Sequence, residues 1–259
     1  MLQRIPVRTP TLPPATTTNA YRCGRVVVDP GSPWADEQAR LAGLLGGGVE
    51  VILVTHHHHD HVGGVADLVA RTGAQVWAHA DARLDVHVDR RLADDEVIDT
   101  GAGRWRCFHT PGHADGHLVF VDEATGDVVA GDLVAGEGTI VVAPPEGHLR
   151  TYLASLERMI SRTGVLHPAH GPALTDGAGA LRGYLAHRAR RTEQVRAALD
   201  RIGSGASARG IAELVYDGIP GVDLALASAQ VSAHLVWLEE EGLARRSAGG
   251  GGGWQAARP

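Results

Sequence analysis

The run Thr55-His56-His57-His58-His59-Asp60-His61 reads as His-x-His-x-Asp-His behind the apolar stretch 49–54, and its donors suit metal cations. His56 and His58 can place two imidazoles on one ion, while Asp60 and His61 aim from the same loop at a second ion a few ångströms away. Neutral imidazole with carboxylate suits Zn²⁺ and other borderline divalent metals, and the absence of Cys nearby argues against a closed structural zinc site. A purification tag would sit at a terminus. Here Asp60-His61-Val62-Gly63-Gly64 opens a helical pattern in the chain interior.

Two cations need more donors than one loop supplies. His113 in Thr110-Pro111-Gly112-His113, Asp132 after Val128-Val129-Ala130-Gly131, and His170 in Pro168-Ala169-His170-Gly171-Pro172 each follow a strand-like run. Each sits beside Gly or Pro, where the backbone turns tightly enough to aim a side chain into a shared pocket. Asp29, in Val28-Asp29-Pro30-Gly31, either accepts a hydrogen bond from a ligand imidazole or caps its own turn. His117, four residues beyond His113, either assists a leaving group or supports the ligands from behind.

With these residues in this order the chain resembles the metallo-β-lactamase-fold hydrolases. The resemblance implies one metal on His56, His58 and His113, a second on Asp60, His61 and His170, and Asp132 bridging both. It implies two Zn²⁺ or similar divalent ions as cofactors, and an α+β fold, the αββα sandwich of the family. True β-lactamases of this fold usually carry Cys where Asp132 stands, which disfavours antibiotic hydrolysis. The chain is also similar to the β-lactamase-like protein 2 subgroup at Asn19-Ala20-Tyr21, Asp29-Pro30-Gly31, Gly131-Asp132, Gly136-Glu137-Gly138-Thr139, 184–191 and 234–242. Chemistry of this type uses a bridging water of lowered pKa to attack a carbonyl or phosphorus centre. Asp60 is expected to orient that nucleophile as well as bind metal.

Short apolar runs predict strands at 26–28, 49–54, 75–77, 104–108, 118–121, 128–130, 140–142 and 165–166. Helices are expected at 34–45, at 61–72 with Asp60 as its cap, and at 149–163. The pattern suits two sheets face to face with helices outside and ligands at strand ends along one edge. From residue 177 the chain turns helical, and Arg182, Arg188, Arg190, Arg191, Arg196 and Arg201 crowd one helix. That face is either solvated or guides an anionic substrate, with Arg188 and Arg191, three apart, as the substrate-binding pair. Ser204-Gly205 divides a catalytic domain, 1–203, from a winged-helix-like domain, 204–259, with 249–253 as its wing tip.

The 259 residues are 44% hydrophobic, enough for a substantial core without staples. Cys23 and Cys107 fall in strand-like runs, so buried thiols and no disulfide are expected. All 24 basic residues are Arg, and the net charge of −6 argues against a protein that coats nucleic acid. Acidic residues outnumber arginines in the C-terminal part, so duplex DNA is not an expected partner; packing, dimer contact or walling the active site suits this part better. No leader or membrane span is read, and a cytoplasmic location is the default. The expected reaction is endoribonuclease cleavage of single-stranded RNA phosphodiesters, favoured by the Arg-rich helix and by the subgroup similarity; the alternative is hydrolysis of a small acyl thioester or ester, favoured by low aromatic content and acidic charge. Mononuclear-iron oxygenation and non-enzymatic regulation stand behind them.

Overall fold

The computed structural model describes residues 2–247 and 253–257. Six strands form the first sheet: β1 (Gln3–Arg8), β2 (Thr17–Cys23), β3 (Val26–Val28), β4 (Val51–Leu53), β5 (Gln75–His79) and β6 (Arg90–Leu92), in that spatial order. β1 to β3 pair antiparallel and β3 to β6 parallel. The second sheet has the order β11-β10-β9-β8-β7, built from β7 (Val97–Asp99), β8 (Arg104–His109), β9 (Leu118–Asp122), β10 (Val128–Gly131) and β11 (Leu166–Pro168).

Alternation along the strands dictates the layers. Val26, Val28, Leu53, Cys107, Leu118 and Phe120 point between the sheets into one buried cluster. Val27, Ile52, Val54 and Val76 point out, under α1 (Ala35–Leu45) and α3 (Val65–Thr72). On the opposite side Val119, Val121 and Val128 lie under α4 (Leu149–Met159) and the first half of α5 (Gly177–Ile202). The result is helix, sheet, sheet, helix. Both cysteines are free and buried in the layer between the sheets, and burial pushes the Cys107 thiol up to about 12.

Four local expectations change. Asp60 does not cap a helix over 61–72: it lies in the first turn of the four-residue α2 (His59–Val62), and Gly63-Gly64 separate α2 from α3. The reason is close backbone packing, since a Cβ on Gly64 would lie 2.2 Å from the Pro30 carbonyl oxygen and one on Gly31 1.8 Å from that of Asp60. Residues 140–142 form no strand, although Ile140 and Val142 are buried. The strands β1, β2, β6 and β7 lay outside the expected set.

The C-terminal region comprises α6 (Ala208–Val215), α7 (Leu224–Glu240) and the antiparallel pair β12 (Ala244–Arg246) and β13 (Trp254–Ala256). Residues 248–252, most of the expected wing tip, lie outside the described residues. The 26-residue α5 serves both regions: Leu181 packs over the second sheet, whereas Val195 and Leu199 pack with Ile211, Val231 and Trp254. Among the described residues no helix is long and apolar enough to cross a membrane.

Glu37 ties α1 to β1. Its buried carboxylate receives Arg40 at 2.7 Å and Arg8 at 3.0 Å. Hydrogen bonds from Arg40, opposed by burial and reinforced by Arg8, lower its carboxyl from 4.5 to about 2. A depressed folded value stabilises the protein above the ordinary carboxylate range, and that contribution is lost as pH falls through about 2. Glu37→Gln is therefore expected to lower stability at neutral pH by about 2 kcal/mol, with the gap closing on acidification. Paired melting curves check this; a gap constant down to pH 2 would refute the ion-pair account.

Candidate metal centre

The strands explain why the donors meet. Parallel β3 and β4 deliver Asp29 and the loop 55–61 to one sheet edge. In the second sheet β8, β10 and β11 run in one direction, so the loops bearing His113, Asp132 and His170 leave at that same edge. Asp29 has φ 49° and Gly131 also has φ 49°, left-handed conformations that turn the chain sharply after β3 and before Asp132.

Each of five histidines has one ring nitrogen engaged from outside and the other turned inward. Asp29 accepts the Thr55 backbone N–H at 2.8 Å and the Thr55 hydroxyl at 2.6 Å. The Thr55 oxygen is then left to accept Nδ1–H of His56 at 3.0 Å, and Asp29 itself accepts Nδ1–H of His61 at 2.8 Å. His113 donates Nδ1–H to the Val141 carbonyl at 2.6 Å, and His170 donates Nδ1–H to the Thr17 carbonyl at 3.2 Å. His58 is reversed: its Nε2–H points at Glu146, 3.2 Å away, which frees Nδ1. These partners assign the tautomers.

The freed nitrogens gather in two groups. His58 Nδ1 lies 3.0 Å from His56 Nε2 and 2.9 Å from His113 Nε2, and the last two are 3.2 Å apart. Asp60, His61 and His170 form the second group, with Asp60 Oδ2 3.5 Å from His170 Nε2. Asp132 stands between them. Its Oδ2 is 3.4 Å from His113 Nε2, while its Oδ1 is 3.3 Å from His170 Nε2 and 3.5 Å from His61 Nε2.

The donor set fits divalent cations. Three imidazoles converging on tetrahedral zinc at about 2.0–2.1 Å would have nitrogens about 3.3 Å apart, close to the observed spacings. Burial and the neighbouring imidazoles hold His56 well below the ordinary histidine range, so its ring is a neutral donor. Burial opposes charge at His61, yet Asp60, Asp132 and Asp29 raise it well above that range, so a cation binding at Nε2 would displace a proton held there by the same carboxylates. For Asp132 burial is likewise outweighed, here by His61 and His170, and its carboxyl is held well below the ordinary range. Two buried atoms, His61 Nε2 and Asp132 Oδ1, find no hydrogen-bond partner. A cation bound between them would satisfy both.

The clusters open onto a cavity of about 370 Å³. Asp60, His58, His113, Asp132 and His170 reach its wall, together with Leu12, Pro13, Val141, Ala143 and Leu226. Its remaining charged neighbours are the carboxylates Glu137 and Glu146, and no described arginine lines it.

Three expected roles change. His117 is fully buried and absent from the cavity wall; its Nε2 accepts the backbone N–H of Asp132 at 3.0 Å, and Nδ1–H donates to Thr110 at 2.8 Å. It holds Asp132 in place and does not face a leaving group. Arg188 is 3% exposed and spends its guanidinium on Gln230 and the Ile140 carbonyl. Arg191 stacks 4.2 Å above the Tyr216 ring and donates to the Val215 carbonyl. Neither arginine lines the cavity. Asp29 lies where it accepts from the His61 imidazole as well as from Thr55. Thr55 and Glu146 are positioning groups the sequence reading missed. Thr55 directly precedes the motif, whereas Glu146, in Pro144-Pro145-Glu146-Gly147, carries no periodic or spacing signal.

Comparison with known proteins gives a consistent result. The profile of the metallo-beta-lactamase superfamily matches residues 23–170. An atrochrysone carboxyl ACP thioesterase from Cryptosporiopsis sp. (strain 8999) is 33% identical over 72% of this chain, which spans 59% of that protein's length. A beta-lactamase-like protein 2 homolog from Drosophila melanogaster is 30% identical over 89% of the chain and 85% of its own length. The crystal structure of a metallo-beta-lactamase family protein from Thermus thermophilus superimposes with a TM-score of 0.83 at 24% identity, covering 98% of both chains.

Proposed function

The chain belongs to the metallo-beta-lactamase superfamily, and from that premise we propose that it is a dinuclear metallohydrolase of acyl thioesters or esters. The carrying observation is the cavity wall. A polyanionic RNA strand entering it would meet Glu137 and Glu146 and, among the described residues, no arginine, whereas a neutral acyl thioester would find Leu12, Pro13, Val141 and Leu226. The relative named as a thioesterase supports the same choice. Single-stranded RNA takes second place because Arg188 and Arg191, the residues that favoured it, are used inside the protein.

In this reading His56, His58 and His113 would hold one ion and Asp60, His61 and His170 the other, with an oxygen of Asp132 facing each group. Zn²⁺ is the first choice for such nitrogen and oxygen donors. When bound, the pair of ions supplies Lewis acidity and a water of lowered pKa. The chain's own groups supply order. Asp29 and Thr55 fix the proton on Nδ1 of His56 and His61, leaving both Nε2 atoms as donors. Asp60, partly exposed and within 3.3 Å of the Thr18 hydroxyl, is placed to orient the attacking water as well as to bind metal. The apolar wall holds the acyl group and excludes bulk water. Residues 204–259 we read as a winged-helix-like unit that packs on the catalytic unit, with Leu226 of α7 reaching the cavity.

The test is metal analysis together with a hydrolysis panel of acyl thioesters, lactones and single-stranded RNA. Thioester turnover should disappear on chelation and return with Zn²⁺. Asp60→Asn should keep the fold while losing about 10²-fold or more in turnover, since an amide is a poor ligand and cannot take a proton. RNA cleavage without any ester or thioester turnover would defeat the substrate reading. One tightly bound iron with O₂-dependent consumption of substrate would defeat hydrolysis altogether.

A further inference from the structure

Residues 136–148 form one wall of the cavity, contributing Glu137, Gly138, Thr139, Val141, Ala143 and Glu146. The same segment makes two contacts with the donor set, accepting Nδ1–H of His113 at the Val141 carbonyl and Nε2–H of His58 at Glu146. No sheet ladder secures it, since residues 140–142 are irregular. An irregular wall carrying a 2.6 Å contact to a candidate ligand needs some other anchor.

That anchor comes from the helices beyond the wall. Arg188 of α5 donates Nη2–H to the Ile140 carbonyl at 2.5 Å and Nη1–H to Gln230 Oε1 of α7 at 2.8 Å. Its guanidinium carbon lies 5.5 Å from the Tyr152 ring centroid. The side chain is 3% exposed and its Nε has no hydrogen-bond partner. A guanidinium buried with no carboxylate partner among the described residues is a costly arrangement, and its two strong contacts go to the wall segment and to the residue that seats it. Farther along, His148 and Arg150 pair with Glu240, and Arg150 also with Glu241, so α7 grips the wall at a second point.

We infer that Arg188, seated by Gln230, is a positioning residue for the metal centre. By fixing the Ile140 carbonyl it sets the adjoining Val141 carbonyl, which directs His113 Nε2 at the group formed with His56 and His58. The C-terminal helix thereby controls one of the two ion sites and leaves the other, built on β2, α2 and the loop after β11, untouched. This inference rests on the dinuclear reading above.

The experiment measures stepwise Zn²⁺ binding to the full chain by competition with a chromophoric chelator, alongside melting curves. His113→Ala identifies the site that depends on this ligand. Gln230→Ala and Arg188→Met should weaken that site about 10- to 100-fold while the other stays within about twofold. Gln230→Glu, which keeps an acceptor facing Arg188, should restore near wild-type affinity. If Arg188→Met does not fold, Gln230→Ala decides alone. Unchanged affinity at both sites in Gln230→Ala overturns the inference and leaves the dinuclear reading intact; so does equal weakening of both sites in step with melting temperature. A wild-type protein lacking any site sensitive to His113→Ala overturns the dinuclear reading, and the inference with it.

Discussion

Asp132→Ala is expected to remove both metals and reduce hydrolysis by at least about 10³-fold, because two Lewis acids worth several kcal/mol of transition-state stabilisation go together. Among the described residues Asp132 is the one with an oxygen toward each group, Oδ2 near His113 and Oδ1 near His61 and His170. Removing it also withdraws the negative charge that makes a cluster of imidazoles tolerant of two cations. Elemental analysis of the dialysed variant, with its turnover on the best thioester, measures both losses. Retention of two tightly held ions would mean that Asp132 does not bridge them.

Asp29→Asn is expected to lose metal affinity about 10- to 100-fold with the fold retained, which separates it from Asp29→Ala. Asparagine is at ease in the left-handed conformation that Asp29 adopts at φ 49°, and its oxygen can still accept the Thr55 backbone N–H. Its amide N–H₂, turned toward His61, favours the ring with a bare Nδ1 and a protonated Nε2. That tautomer cannot donate to a metal. Alanine instead strands two buried donors on Thr55 as well as His61 and should also cost about 3–5 kcal/mol of stability. Chelator competition and chemical denaturation on both variants test the contrast. An Asp29→Asn protein with wild-type affinity would show that the tautomer is fixed elsewhere.

The donor set was legible because its chemistry lies in residue types at strand ends, where Gly and Pro announce sharp turns. Glu146 was not, because its partners His57 and His58 are brought to it only by the packed wall. Arg188 departs from expectation for another reason. Leu181, Leu185, Arg188, Thr192, Val195 and Leu199 recur at three- and four-residue spacing, and all but the half-buried Leu185 are buried. The phase of the helix is in the sequence: the apolar spacing puts Arg188 on the buried face with Leu181, Val195 and Leu199, whereas pairing it with Arg191 assumes an exposed one. Strand β1 escaped notice because Pro6 interrupts it; at a sheet edge a missing N–H is tolerated, and Ile5 and Val7 still point inward.

The placement of the two thiols decides which reagents can poison the protein. Every candidate ligand is nitrogen or oxygen, and Cys23 and Cys107 are 4% and 0% exposed between the sheets. Alkylating agents, mercurials and peroxide therefore find no accessible thiol, either at the centre or on the surface. The activity should persist through oxidising or electrophilic stress that silences thiolate-liganded enzymes, and a medicinal chemist would have to approach it with a chelating warhead, since a cysteine-directed one has nothing to bind.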